Sequence, residues 1–203
     1  MPKIVDFEQK KLEIADRSIA VFADKGYYNT KLSDIAKACS MGRTTLYQYF
    51  KNKDEIYLYI LELGMSFFLL RFEELKKDSS LSNIDKLKEL TSYLLVNIEG
   101  QRVAKGFVDF WLMVRHNNYN VEEKLFKLSQ SLENAFKEIL DSAINSGEII
   151  NIDTASMSTL IIGALESLTI QDIVYGDIHY EKLYKSMIIL IDGLKSLEKE
   201  ELL

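Results

Sequence analysis

The sequence contains very little proline, cysteine and histidine. Its 203 residues include one proline, at position 2, one cysteine and two histidines. Because proline breaks helices, a chain without internal proline and with only nine glycines favours an all-α fold. A single cysteine excludes a disulfide within the chain and is typical of a reducing compartment. The composition therefore predicts a helical, cytoplasmic protein.

Long apolar runs are also missing. The longest, at residues 67–70 and 187–191, are far shorter than the roughly 20 apolar residues that span a bilayer. The start of the chain, MPKIVDFEQKKLEI, lacks the apolar core of a signal peptide. No stretch alternates β-branched residues for long enough to predict a sheet. We therefore expect no membrane partner.

Residues for catalysis or metal binding do not cluster in the sequence. His116 and His179 are isolated, and Cys39 lies in another part of the chain. Metal sites need several such ligands at short spacing, and no glycine-rich phosphate loop is present. We therefore expect no enzyme, no metal and no cofactor. A helical-bundle enzyme whose carboxylates come from distant helices is the alternative that sequence leaves open.

Charge is divided unevenly along the chain. The net charge is −6, but residues 1–53 contain ten Lys or Arg and six Asp or Glu, a net +4, which leaves −10 for residues 54–203. A basic amino-terminal part can contact phosphates, and an acidic body limits non-specific adhesion to DNA. This asymmetry predicts two domains with different partners.

The basic part contains a helix, a break and a second helix. Apolar spacing predicts helices over about residues 32–39 and 43–50, separated by Ser40, Met41 and Gly42. In the second helix Leu46 and Phe50 share an inward face. The outward residues are Arg, Thr, Tyr and Gln, which suit guanine edges, thymine methyls and phosphates. The arrangement is that of a helix-turn-helix.

Many of these residues, in this order and spacing, resemble the amino-terminal domain of the TetR family of bacterial transcriptional repressors. The resemblance covers about residues 7–60 and is carried by Phe22, Gly26-Tyr27, Thr30, Ile35-Ala36 and the run from Thr45 to Glu55. Three residues depart from the family pattern. Ser40 replaces the usual turn glycine, Gly42 stands where serine is common, and Thr44 replaces a common glycine of the recognition helix.

The resemblance implies which side chains contact DNA. Arg43, Thr44 and Thr45 match the recognition positions that meet base edges or nearby phosphates. Tyr47, Gln48 and Tyr49 are expected to hold the backbone, with Thr30 and Lys53 at either end. Thr30 is also a candidate N-cap of the first of the two helices.

The remaining pattern predicts about nine helices in two domains. They include helices over about residues 83–99, with Ser82 as a candidate cap, and 102–115, and a later helix capped by Asp153 or Thr154. Residues 1–53 form a three-helix DNA-binding domain, and residues 54–203 form a larger helical domain for effector binding and dimerisation. A long helix over about residues 54–77 links them. The last two long helices, about residues 154–176 and 180–200, are apolar on more than one face. They predict a homodimer interface, as the resemblance also implies, or else a central place in the protomer core.

Aromatic residues in the larger domain predict a small-molecule pocket, because the bodies of this family commonly bind an inducer. Ordinary aromatic core packing is the alternative at each position. Glu166, an acid in an apolar stretch, lies either at an exposed rim or opposite a ligand cation. The candidates are Phe67, Tyr93, Phe107, Phe110, Trp111, Tyr119 and Glu166.

Together these patterns predict a sequence-specific DNA-binding transcriptional regulator, most simply a repressor released from a palindromic operator by a small-molecule effector. The alternative is a helical small-molecule-binding or scaffold protein with a non-functional helix-turn-helix.

Overall fold

The computed structural model describes residues 6–97, 105, 119–176 and 179–195. These residues contain eight α-helices and no strand, apart from one isolated bridge pair between Ile149 and Lys195. The all-α prediction is therefore confirmed, and the helix predicted over residues 102–115 lies outside the described residues. The helices are α1 (Phe7–Asn29), α2 (Leu32–Ala38), α3 (Arg43–Leu46), α4 (Lys53–Lys77), α5 (Asn83–Leu95), α6 (Tyr119–Asn145), α7 (Thr154–Tyr175) and α8 (Tyr180–Asp192).

The chain divides into two compact units, Met1–Leu63 and Gly64–Leu203. The division falls later than the predicted boundary after residue 53, because the first turns of α4 belong to the core of the first unit. Ile56 is fully buried there, and the ring of Tyr57 packs edge-on against Phe22 with centroids 4.9 Å apart.

The core of the first unit is formed by one or more side chains from each of its helices. Those of α1, α2, α3 and α4 include Ile14, Ile35, Leu46 and Ile56, each at most 1% exposed. Burying such side chains contributes about 1.5–3 kcal/mol each. The unit is therefore a packed support for the short α3.

In the second unit, α5 packs on α6 and α8, and α6 packs on α7. Phe68 of α4 and Phe136 of α6 are fully buried with ring centroids 6.4 Å apart. Local signals set several helix ends here. The Ser82 hydroxyl accepts from the Asp85 amide at 3.1 Å at the start of α5, and Asp153 caps α7.

Two helices of the second unit differ from their predicted lengths. The structure ends α5 at Leu95, before the predicted residue 99, and ends α8 at Asp192, before the predicted residue 200. Gly193 follows α8 directly as its C-cap, with φ −65° and ψ −12°. Within the described residues, every helix is too short or too polar to cross a membrane.

Candidate DNA-binding site

The turn between α2 and α3 depends on a serine in a left-handed conformation. Ser40 has φ 53°, and its amide donates to Lys37 O at 3.0 Å. The Met41 amide donates to Ala36 O at 3.0 Å, which completes a Schellman ending for α2. Gly42 has φ −70° and ψ 149° and is the N-cap of α3. The position that needs positive φ is therefore occupied by Ser40, where the resemblance places glycine.

Helix α3 is shorter than predicted. It ends at Leu46, whereas the sequence pattern extended it to Phe50. The next amides of Gln48 and Tyr49 bond to carbonyls three residues back, at 3.1 and 3.0 Å, which tightens the chain into a turn. Leu46 and Phe50 are nevertheless both buried, at 1% and 3% exposure, as their spacing predicts.

The outward side of α3 and its turn carries the predicted polar side chains. Arg43, Thr44, Thr45, Tyr47 and Gln48 are all exposed. The Arg43 guanidinium donates to the Tyr47 hydroxyl at 3.0 Å and lies 5.5 Å from the Tyr47 ring centroid. This contact limits the rotamers of both side chains before any ligand arrives.

Tyr49 is held differently from its neighbours on the turn. It is half-buried, and its ring stacks on Phe7 of α1 with centroids 5.0 Å apart. The Lys11 ammonium lies 5.6 Å from the Phe7 centroid and 5.5 Å from the Phe50 centroid. The turn that follows α3 is thus held against α1 through Tyr49 and Phe7.

Thr30 does not lie on the exposed face. It is 1% exposed, and its hydroxyl donates to Gly26 O at 2.7 Å. It is the C-cap of α1, while the N-cap of α2 is Lys31, so the predicted N-cap role of Thr30 is wrong. The reason is that the α1 backbone leaves the helical region at Gly26, with φ 70° and ψ 160°, and exposes a carbonyl that Thr30 satisfies.

Lys53 is also engaged within the protein. Its ammonium donates to the carbonyls of Tyr27, Tyr28 and Thr30 at 2.8, 3.2 and 3.1 Å. It lies 4.2 Å from the Tyr27 ring centroid, and burial lowers its pKa while the Asp54 charge opposes that shift. Sequence reasoning missed these contacts, because partners more than 20 residues apart leave no local periodicity.

Two other lysines of this unit are exposed and were not singled out from the sequence. Lys37 is on the surface of α2, and the Lys51 side chain, which follows the α3 turn, is 88% exposed. Their charges are available to phosphate groups, and the basic balance of residues 1–53 is the sequence signal that points to them.

Three of the seven predicted effector residues, Phe67, Tyr93 and Glu166, have side chains that the structure describes. Phe67 is 55% exposed, and Tyr93 is half-buried with its ring centroid 6.2 Å from that of Phe68. Phe107, Phe110 and Trp111 lie outside the described residues, as does the side chain of Tyr119 at the start of α6.

Glu166 lies on the exposed side of α7. Although the side chain is exposed, surrounding atoms partly shield its carboxyl from water, and this desolvation together with repulsion from Glu133 raises its pKa. A cleft of about 500 Å³ opens between α6 and α7. Among the described residues, its lining comprises Glu133, Asn134, Lys137, Ala155, Ser156, Ser158, Thr159 and Leu160.

Exposed apolar side chains lie on both α7 and α8. Leu160 is 66% exposed and Val174 62% on α7, and Ile189 is 71% and Leu190 67% on α8. Other residues of α8, such as Met187 and Ile191, are buried. Each helix therefore has one apolar face inside the unit and another on its surface. Across the described ranges, no three His, Cys, Asp or Glu side chains lie close enough to hold a metal ion.

Comparison with known proteins gives matches over both units. Residues 14–60 match the family description "Bacterial regulatory proteins, tetR family", and residues 69–197 match "QacR-like protein, C-terminal region". The chain is 28% identical to the fatty acid metabolism regulator protein of Bacillus subtilis over 89% of this chain and 92% of that protein.

Solved structures agree with this similarity. The structure resembles the transcriptional regulator FadR from Bacillus subtilis in complex with stearoyl-CoA, with a TM-score of 0.76 and 25% identity over 91% of this chain and 99% of that one. A TetR-family regulator from Cytophaga hutchinsonii shares the fold, with a TM-score of 0.79 and 14% identity over 97% and 100% of the two chains.

Proposed function

The chain belongs to the TetR family of bacterial regulatory proteins and is a DNA-binding transcriptional regulator; on that premise we propose that it is a repressor released from its operator by a long-chain fatty acyl-CoA. The observation that carries the proposal is the similarity to a fatty acid metabolism regulator over 89% of this chain and 92% of that protein. The structure also resembles that of a FadR regulator in complex with stearoyl-CoA. Members of the family are regulators rather than enzymes, bind operators as dimers and respond to small molecules.

For DNA, the proposed contacts are the exposed side chains of α3 and its turn. Arg43, Thr44 and Thr45 would meet base edges or adjacent phosphates in the major groove, and Tyr47 and Gln48 would meet the backbone. Tyr49 joins the backbone contacts only at its free edge, because Phe7 covers one face of its ring. We leave Thr30 out of this set, since its buried hydroxyl already donates to a carbonyl.

For dimerisation, the proposed interface is the exposed apolar side of α7 and α8. The aliphatic side chains there that are described as more than 60% exposed are Leu160, Val174, Ile189 and Leu190. Two copies packed through these helices would form a four-helix bundle and remove this surface from water. A two-fold dimer then presents two copies of α3 to a palindromic operator. Its place of action would be the cytoplasm, with the bacterial DNA.

For the effector, an acyl chain needs an apolar enclosure, and the second unit has an apolar core that includes Phe68, Phe136 and Leu140. A ligand can release the operator only if it prefers a body conformation in which the two DNA-binding units do not fit the half-sites. Stearoyl-CoA binding must then weaken operator binding by the same factor as the operator weakens stearoyl-CoA binding.

The test begins with selection of bound duplexes from a random DNA pool at low salt and again near ~0.2 M salt. A palindromic motif that survives the higher salt is the expected result. Stearoyl-CoA, free CoA and stearate are then titrated against the complex with that duplex. Release by stearoyl-CoA alone supports the proposal, whereas equal release by stearate, or no release by any of the three, contradicts the acyl-CoA assignment.

A further inference from the structure

We propose that Lys53 is a positioning residue for operator recognition. Together with the Tyr27–Asp54 hydrogen bond, its ammonium fixes the end of α1 to the start of α4 and so sets the placement of α3, without touching DNA. This goes beyond the proposed contact set, in which Lys53 has no part, and it does not depend on the identity of the effector.

The first observation is that the donors of Lys53 are all in use. An ammonium has three N–H groups, and three backbone carbonyls accept from it, those of Tyr27, Tyr28 and Thr30, at 2.8, 3.2 and 3.1 Å. A phosphate could gain Lys53 only by breaking bonds that hold the protein together. The resemblance alone would place this lysine on DNA, and the geometry argues for an internal role.

The second observation explains why a cation is needed there. The helical course of α1 is interrupted at Gly26, where φ is 70° and ψ is 160°, so the carbonyls that follow lack regular helical partners. A positive charge at a helix carboxyl end also complements the helix dipole. The Tyr27 ring, 4.2 Å from the ammonium nitrogen, adds a cation–π contact.

The third observation is a second tie between the same two segments. The Tyr27 hydroxyl donates to the carboxylate of Asp54, the residue that follows Lys53 in α4. The Tyr27 ring packs against Phe22 and Tyr57 with centroids 5.9 and 5.3 Å away. Burial and the Asp54 carboxylate both raise the pKa of Tyr27, so its hydroxyl stays protonated and able to donate.

The consequence for DNA binding follows from where these ties lie along the chain. The bond from Lys53 to the Thr30 carbonyl joins residues 23 apart, and the segment between them contains all of α2, the turn and α3. Both ends of the helix-turn-helix segment are therefore fixed at one point. Loosening that point lets α3 shift as a body, which disturbs base contacts more than it disturbs attraction to phosphates.

The test compares Lys53→Met with Lys51→Met in the full-length dimer. Lys51, two positions away, has an exposed side chain whose charge is available to phosphates. Lys51→Met therefore serves as the comparison for losing an exposed charge of this kind, which acts on both duplexes and on the salt dependence alike. Affinity is measured for the selected operator and for an unrelated duplex, each across a range of salt concentrations, at a temperature where circular dichroism shows the variants folded. For Lys53→Met we expect operator affinity to fall about tenfold, in line with the loss of a good base contact.

The salt dependence separates positioning from direct contact. We expect Lys53→Met to leave the slope of log K against log salt, and affinity for the unrelated duplex, unchanged. A direct phosphate contact in both protomers would instead lower the slope by about 1.8, with equal losses on both duplexes, and that result overturns the proposal. Unchanged operator affinity overturns it as well.

A second variant keeps the proposal testable if Lys53→Met does not fold. Tyr27→Phe removes only the hydroxyl that donates to Asp54 and leaves every charge and the ring in place. We expect a smaller loss of operator affinity, again without a change of salt slope. If Tyr27→Phe binds the operator as tightly as the wild-type protein, the contacts of Lys53 and Tyr27 do not position α3.

Discussion

Among the residues of α3, Arg43 has the side chain best suited to read a base. Its guanidinium is exposed and already oriented by the Tyr47 hydroxyl at 3.0 Å. We predict that Arg43→Ala weakens operator binding by about 1–3 kcal/mol and relaxes sequence preference at one position of each half-site.

Fluorescence anisotropy with the selected operator and its single-base variants measures this effect. Arg71→Ala removes the same charge from the second unit, where Arg71 pairs with Glu74 and Glu89, and serves as the control. An Arg43→Ala protein that keeps the wild-type preference at every position would contradict base reading by this side chain.

Ser40 carries a backbone cost that its sequence neighbours do not. Its φ of 53° is in the left-handed region, which glycine adopts without penalty. We predict that Ser40→Gly raises the free energy of unfolding of the first unit by about 1 kcal/mol. Gly147, with φ 74° after α6, offers the reciprocal change, and Gly147→Ser should destabilise the second unit.

Urea unfolding followed by circular dichroism compares these two variants with the wild-type protein. A Ser40→Gly variant that unfolds at lower urea would show that the serine makes a contact worth more than the strain. The departure from the family pattern at Ser40 is visible in the sequence, but only the backbone angles say what it costs.

At the scale of single residues, sequence reasoning succeeded where the signal was local. The inward spacing of Leu46 and Phe50 and the cap at Ser82 were correctly identified, because each depends on neighbours within four positions. Thr30 was misassigned because its partner depends on a kink at Gly26. The Lys53 contacts join segments far apart in sequence, so they cannot be predicted from composition or local spacing.

At the scale of helices, the start of α5 is joined to the turn after α6 by a carboxylate. Glu148 accepts from the Ile84 amide at 2.9 Å, the Asn83 side chain at 2.7 Å and the Ser146 hydroxyl at 2.8 Å. Burial acts to raise the pKa of Glu148, but the hydrogen bonds from Ile84, Ser146 and Asn83 outweigh it and lower the pKa below its ordinary value.

We predict that Glu148→Gln lowers the free energy of unfolding by about 1–3 kcal/mol at neutral pH. Because the folded-state pKa is depressed, the wild-type advantage is present above the unfolded pKa of about 4.3 and disappears as the pH falls through the folded value. Urea unfolding at several pH values measures the difference in stability between the wild-type protein and Glu148→Gln. Glu123→Gln is the control, because the Glu123 side chain is exposed. A difference that persists unchanged at low pH would mean that the charge is not responsible.

The exposed apolar residues of α7 and α8 are the proposed dimer interface, so a charge placed there should weaken dimerisation. Leu160→Glu places a charge in the proposed interface, and a two-fold interface contains each substitution twice. We predict that it raises the dimer dissociation constant by about 100-fold or more and weakens operator binding in parallel.

Sedimentation velocity over a range of concentrations measures the change. Leu70→Glu on α4 is the control, because Leu70 is similarly exposed at 59% but lies outside α7 and α8. If Leu160→Glu sediments as the wild-type protein does, another surface forms the dimer.

Helices were easier to predict than their ends. The presence of α1, α4, α5, α6, α7 and α8 follows from apolar periodicity. The sequence offers Asp153 or Thr154 as the cap of α7, and in the structure the cap is Asp153. The length of α3 does not follow from the periodicity. In the turn after Leu46, amides bond to carbonyls three residues back, and Leu46 and Phe50 still both point inward as they would in a continued helix. The sequence shows that α7 and α8 are apolar on more than one face. Which of these apolar residues remain exposed can be seen only from the packing of the helices in the structure.

At the scale of the whole molecule, the proposed function couples the DNA-binding unit to acyl-CoA binding by the second unit. Coupling between the two sites is a free energy, so it acts equally in both directions. Coupling free energies typical of allosteric proteins, about 1–3 kcal/mol, would change each affinity by roughly 5- to 150-fold. A ligand that binds both conformations equally has no effect on the operator, however tightly it binds.

The most direct measurement is the dissociation constant of stearoyl-CoA for the free protein and for the protein saturated with its selected operator. We expect stearoyl-CoA to bind the operator complex more weakly than the free protein, by the same factor by which stearoyl-CoA weakens operator binding. Equal affinity for the free and DNA-bound protein would contradict effector control by acyl-CoA, even if stearoyl-CoA bound tightly to both.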